Sequence, residues 1–124
     1  MEIVVSKAAP SAIGPYSQAI IGKDFVFTSG QIPLSPETGE IVAGGIKEQA
    51  EQVIRNLKVI LTAAGSDLAY VVKTTCFLTD MGNFSAFNEV YATHFTSKPA
   101  RSCIGVLALP KGAMVEIEAV AEIP

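Results

Sequence analysis

The spacing of apolar residues changes period once along this chain, and that change limits the folds open to it. From Ile46 to Ala64, the residues Ile46, Ala50, Val53, Ile54, Leu57, Ile60, Leu61 and Ala64 recur at helical spacing and form one stripe on one face. Gly44-Gly45 precedes the stripe, and Gly65 stands where a helix C-terminus favours glycine. Glu51 and Arg55 are spaced as an i,i+4 pair on the wet side. The runs before and after are β-branched and aromatic, so this helix must pack on strands.

The strand readings are Ile3–Val5, Tyr16–Ile21, Phe25–Ser29, Tyr70–Leu78, Ala100–Val106 and Met114–Ile123. Gly22-Lys23-Asp24 marks a hairpin turn between the second and third. A second helix is expected from about Phe84 to Phe95, with a stripe of Phe84, Phe87, Val90 and Tyr91, a cap from Asp80 or Asn83, and Pro99 as its stop. The order β-β-β-α-β-α-β-β predicts an α+β fold: one six-stranded, mainly antiparallel mixed sheet with two helices on one face. No repeat or linker interrupts it, so residues 1–124 read as one domain.

Two helices cover one face only. Phe25 and Phe27 alternate with Val26, so the other face also carries apolar side chains. Hydrophobic residues make up 49% of the chain and charged residues 17%, with a mean hydropathy of +0.40. No apolar run reaches the ~20 residues of a membrane helix, so that surface should be buried against protein, and an oligomer joined through its sheets is expected.

Composition also narrows the chemistry. The net charge is −3, with no Lys/Arg cluster, which argues against binding nucleic acid through phosphates. His94 is the one histidine, and Cys76 and Cys103 are the only cysteines, without C-x-x-C spacing, so neither a metal site nor a disulfide scaffold is expected. The start, Met1-Glu2-Ile3-Val4-Val5, lacks the basic and long apolar parts of a secretory signal, and a cytoplasmic setting is expected.

Pro99-Ala100-Arg101-Ser102-Cys103 and Met114-Val115-Glu116-Ile117-Glu118 place charge inside runs that otherwise read as buried strand. Arginine grips a planar carboxylate through two parallel hydrogen bonds, so Arg101 either anchors a small organic acid or pairs with a glutamate of the last strand. Glu116, Glu118 and Glu122 share one face of that strand. Gly30, after Ser29, either lets a backbone approach a ligand or is a turn glycine. Tyr16, after Gly14-Pro15, is aimed by a rigid turn or packs at the core edge. Asn88 lines a cleft or marks the stripe's margin. Cys103 has no histidine beside it to act as base, so it reads as a pocket-lining thiol rather than a nucleophile.

Taken together, these segments resemble the reactive intermediate deaminase family (Rid, formerly YjgF), in its RidA subgroup. The resemblance rests on Ala12-Ile13-Gly14-Pro15-Tyr16-Ser17, Thr28-Ser29-Gly30-Gln31-Ile32-Pro33, Asn56-Leu57, Val72-Lys73-Thr74-Thr75, Phe87-Asn88-Glu89-Val90-Tyr91, Pro99–Cys103 and Val115-Glu116-Ile117-Glu118-Ala119. It implies a chorismate-mutase-like fold, a homotrimer with sites between subunits, and hydrolysis of 2-imino or enamino acids to 2-keto acids and ammonia without cofactor or metal. The imines named by the resemblance are 2-iminobutanoate and 2-iminopropanoate, released by PLP-dependent dehydratases. Arg101 would bind the substrate carboxylate, the Cys103 backbone would help hold it, and Glu116 would direct water. Tyr16, Ser29, Gly30 and Asn88 would line the pocket. The chain departs from many bacterial members at Gly105 and Leu107-Ala108, where those read Glu and Ala-Arg. Other readings are a non-enzymatic module that binds small acids, RNA cleavage or translation inhibition, and a chaperone-like holdase.

Overall fold

The computed structural model describes residues 1–124. Its strands are β1 (Glu2–Val4), β2 (Ala19–Gly22), β3 (Phe25–Thr28), β4 (Val71–Leu78), β5 (Ala100–Gly105) and β6 (Val115–Glu122), and its helices are α1 (Ile46–Ala63) and α2 (Phe84–His94). They form one six-stranded sheet in the order β1-β2-β3-β6-β4-β5. The β4–β5 pair is parallel and the other pairs are antiparallel, as expected of a mixed α+β sheet.

Every apolar residue of the α1 stripe is buried, from Ile46 through Ala64, because a 3.6-residue period puts them all on the face that meets the sheet. The helix ends in a Schellman arrangement. Gly65 takes φ +86°, its N–H donates to Thr62 at 3.0 Å, and the Ser66 N–H donates to Leu61 at 2.8 Å. The expected Glu51–Arg55 pair does not form. Glu51 instead meets His94 of the neighbouring α2 at 2.9 Å, a tertiary partner better placed than the local one. Asp80 caps the short turn Met81–Asn83 by accepting from the Gly82 N–H at 2.8 Å, and Asn83 precedes α2 without a side-chain cap.

One strand boundary moves by three residues. β2 begins at Ala19 rather than Tyr16, because the Gly14-Pro15-Tyr16 turn closes on itself, the Tyr16 N–H donating to the Gly14 carbonyl at 2.9 Å. The Gln18 side chain is then spent on the preceding loop. Its Oε1 accepts from the Ser6 N–H at 2.7 Å, and its Nε2 donates to the Ser6 and Pro10 carbonyls at 3.0 and 2.7 Å.

Alternation along β6 divides the two faces of the sheet. Val115, Ile117, Ala119 and Ala121 are buried toward the helices, while Glu116, Glu118, Val120 and Glu122 point to the open side. That open side exposes Phe25, Phe27, Ile3 and Ile104 at 38%, 48%, 59% and 47%, although Val26 behind them is fully buried. The uncovered face thus carries the apolar surface that its strand pattern requires.

Candidate active site

Arg101 lies on β5, the edge strand, in register with Thr74 of β4. Thr74 is fully buried and opposes Ala119 of β6. Residues opposed across neighbouring strands share a face, so Arg101 points to the helix side. There α2 receives it. An Arg101 Nη1–H donates to Asn88 Oδ1 at 2.7 Å, and the guanidinium carbon stands 4.7 Å from the centre of the Tyr91 ring and 5.5 Å from that of Phe84. These are cation–π distances. Tyr91 is itself fixed, its hydroxyl 2.6 Å from the buried Thr74 hydroxyl and its ring stacked on Phe95 at 4.4 Å.

No carboxylate pairs with Arg101. The two ion pairs of the chain are Lys47–Glu89 and His94–Glu51, so of the two readings of Arg101 the structural pair with a β6 glutamate is not formed. The guanidinium instead opens on a cavity of about 500 Å³ lined by Asn88, Tyr91, Phe95, Lys98 and Pro99, among others. Asn88 therefore lines a cleft. Cys103, one residue pair along β5 opposite buried Cys76, is half-buried. Burial raises its thiol above the usual value, against a lowering by Arg101, so it is held as a thiol rather than a nucleophilic thiolate. Burial pushes Cys76 up to about 12.

Glu116 stands in register with Phe77, which opposes Ile104. It therefore faces the open side of the sheet. One strand lies between Arg101 and Glu116, since β4 separates β5 from β6. Two interstrand spacings put their backbones ~10 Å apart. The structure adds what spacing alone did not reveal: the two side chains leave the sheet on opposite faces. Burial raises the Glu116 carboxyl above the ordinary glutamate value, and the nearby Glu118 charge adds to the effect. Its proton affinity is thereby brought closer to that of a useful base at neutral pH.

Gly30 is packed against that carboxyl. A Cβ built at position 30 would stand 2.8 Å from Glu116 Cδ, so any larger residue there must displace the carboxyl. The approach follows from how β3 ends. After the Phe27–Val120 pair the ladder breaks, and the Thr28 hydroxyl accepts the Ala119 N–H at 3.0 Å. The chain then rejoins β6 at Gln31, which exchanges backbone hydrogen bonds of 2.9 and 3.1 Å with Ile117. Ser29, in the excursion between, donates its hydroxyl to the Ser17 carbonyl at 2.5 Å and its N–H to Gln18 at 2.8 Å. It thus holds the turn that carries Tyr16. Tyr16 and Gly30 line a second cavity of about 400 Å³, with Ile13, Gln18 and Gln31 among its walls.

The residues expected at the site therefore fall into two groups. Arg101, Asn88 and Cys103 lie with α2 beside the sheet's edge. Tyr16, Ser29, Gly30 and Glu116 lie with the loop that leaves β3. Sequence reading missed Tyr91 and Phe84 as the floor under Arg101. Their spacing was visible only as part of a helical stripe, and an aromatic stripe does not announce the cation that will cross it. No helix is long and apolar enough to cross a membrane.

A mixed sheet backed by two helices carries an arginine without a carboxylate partner at its edge and a half-buried carboxylate on an inner strand, in an α+β protein. Over residues 6–123 the chain matches the family described as Endoribonuclease L-PSP. A RutC family protein of Pyrococcus horikoshii is 53% identical over 121 residues, covering 97% of this chain and 96% of that protein. The 2-iminobutanoate/2-iminopropanoate deaminase of Homo sapiens is 48% identical over 120 residues, covering 96% of this chain and 88% of that one. The crystal structure of E. coli TdcF with bound serine superposes with a TM-score of 0.93 at 44% identity, covering 98% of each chain. This chain belongs to the Endoribonuclease L-PSP family, that of the YjgF/Rid proteins.

Proposed function

We propose that the protein hydrolyses 2-imino acids, 2-iminobutanoate and 2-iminopropanoate among them, to 2-keto acids and ammonia, in sites completed between copies of a homotrimer. The observation that carries this reading is a guanidinium clamped by Asn88 and Tyr91, without a carboxylate partner, at the mouth of a cavity. The human relative's name states this reaction, and the serine bound by TdcF is a small amino acid.

The chemistry asks little of the protein. A protonated imine is already electrophilic at C2. Arg101 holds the substrate carboxylate, which makes the attack of a bound water effectively unimolecular. Glu116 accepts a proton as the water oxygen adds to C2. The same proton then reaches the nitrogen of the resulting carbinolamine. The C–N bond breaks as the hydroxyl oxygen forms the C=O bond and gives its remaining proton to Glu116, and ammonia leaves and takes up that proton. Such proton transfer typically contributes ~10²–10⁴-fold. Arg101 and Glu116 leave opposite faces of one sheet, so one small acid meets both only if they come from different copies. The exposed apolar sheet face supplies the surface for that assembly. The setting we expect is the cytoplasm, beside PLP-dependent dehydratases that release such imines.

The test is ammonia and keto-acid release from 2-iminobutanoate generated in situ by a dehydratase. Wild type should accelerate imine loss, and Arg101→Ala should leave only the spontaneous rate. No acceleration by a folded wild-type oligomer would favour the second reading, a sensor of small acids, which the serine in TdcF also suits. The family's description speaks of an endoribonuclease, but a net charge of −3 with no basic cluster disfavours phosphate-driven binding of RNA.

A further inference from the structure

Three carboxamides interrupt the buried face of α1: Gln49, Gln52 and Asn56, exposed by 5%, 8% and 1%. At i, i+3 and i+7 they form a stripe of their own within the apolar one. An apolar residue at each position would fill the same space without a polar group to satisfy. What these amides hold is backbone, at two places. Gln49 Oε1 accepts the Met114 N–H at 2.8 Å. Asn56 Nδ2 donates to the Ile32 and Leu34 carbonyls at 3.3 and 3.0 Å. Gln52 Nε2 donates to Asn56 Oδ1 at 2.9 Å and so orients that amide.

The two places bracket one contact. Ile32 lies two residues after Gly30, and Met114 lies two residues before Glu116. Between them, Gln31 and Ile117 exchange both backbone hydrogen bonds, and Gly30 is pressed against the Glu116 carboxyl. From this geometry we infer that Gln49, Gln52 and Asn56 are positioning residues, through which α1 sets the Gly30–Glu116 contact and hence where the carboxylate stands. A buried, fully satisfied polar network specifies one arrangement where an apolar interface would allow several. Asn56 reaches the wall of the Tyr16–Gly30 cavity through the Ile32 and Leu34 carbonyls, whereas Arg101 is held independently by α2.

The kinetic part of this inference rests on the imine-hydrolase reading, so two readouts are needed. The variants are Asn56→Asp, which replaces a donor by an acceptor; Gln49→Met, which removes the acceptor for Met114; and Gln49→Glu, which restores one. With 2-iminobutanoate generated in situ, Asn56→Asp and Gln49→Met should lose roughly tenfold to a hundredfold in kcat. KM should stay within about twofold, since the anchor is untouched. Gln49→Glu should recover most of the loss. Independently of turnover, carbon NMR of the Glu116 carboxyl should show its titration falling toward the ordinary glutamate value in the two disruptive variants, as the loosened contact admits water. Folded variants with wild-type kcat and an unmoved Glu116 titration would overturn the inference, as would a rise in KM at unchanged kcat. If wild type fails to hydrolyse the imine, the deaminase reading falls alone, and the carboxyl titration still decides this one. If Asn56→Asp fails to fold, the Gln49→Met and Gln49→Glu pair decides it.

Discussion

Arg101 and Glu116 sit two strands apart in one sheet, yet their surroundings differ in kind. Arg101 is on the edge strand, on the helix side, and its supports are side chains: the Asn88 amide and the Tyr91 and Phe84 rings. Glu116 is on an inner strand, on the open side, and its supports are backbone: Gly30 against the carboxyl and the Gln31–Ile117 exchange beside it. An edge strand leaves a long cation free to meet an incoming acid. An inner strand fixes a short acid where its proton affinity can be tuned by burial. On the proposed function, binding and chemistry would draw on different parts of the same sheet, and the sheet itself keeps the two groups apart.

The largest break in this comparison is Arg101→Ala. Catalysed imine loss should vanish into the spontaneous rate, as read by ammonia release, because neither binding nor orientation remains. On the other half-site, Glu116→Gln should retain substrate-analogue binding by calorimetry while turnover falls by ~10²–10⁴. Gly30→Ala should behave like a weaker Glu116→Gln, since the new methyl must displace the carboxyl that stands in its place. Equal losses of affinity and turnover in Gly30→Ala would contradict the division of labour.

A smaller effect is expected at Asn88→Ala, which frees the guanidinium without removing it. A hydrogen bond to a charged group contributes about 1.5 kcal/mol at the low end, so KM should rise by up to roughly tenfold with kcat little changed. The smallest effect is on stability. The native Glu116 carboxyl holds its proton more firmly than in the unfolded chain, so its ionisation opposes folding. That penalty is absent below the ordinary glutamate value, grows as pH rises through the raised one, and is complete above it. Glu116→Gln should therefore melt higher than wild type at neutral pH, and the gap should close on acidification in a melting series.

Much of the fold could be read from residues alone, where the signal was periodic and local. The α1 stripe is buried from end to end, and the β6 alternation puts its glutamates on one face. Reading failed where a distant partner decided. Tyr16, Ser17 and Gln18 lead directly into the apolar Ala19-Ile20-Ile21 run, but the Gln18 side chain binds Ser6 and Pro10, and β2 begins only at Ala19. Glu51 and Arg55 have the right spacing for each other, yet His94, 43 residues from Glu51, takes the carboxylate. At the site, Arg101 and Glu116 stood out as charges in strand-like runs. Their opposite faces did not, because face depends on the register of β5 on β4 and of β4 on β6. The amides of α1 were hidden in a helix whose apolar residues explained it well enough.

The central claim is that one site draws Arg101 and Glu116 from different copies, and subunit mixing tests it most directly. Arg101→Ala and Glu116→Gln, each inactive alone, would be unfolded and refolded together in equal amounts, and imine loss compared with that of either variant refolded alone. With sites shared between copies, about a quarter should regain both intact groups under random assembly, and activity should return to a comparable fraction of wild type. Mixed oligomers, verified by mass spectrometry, that stay at the spontaneous rate would contradict the account and confine each site to one chain.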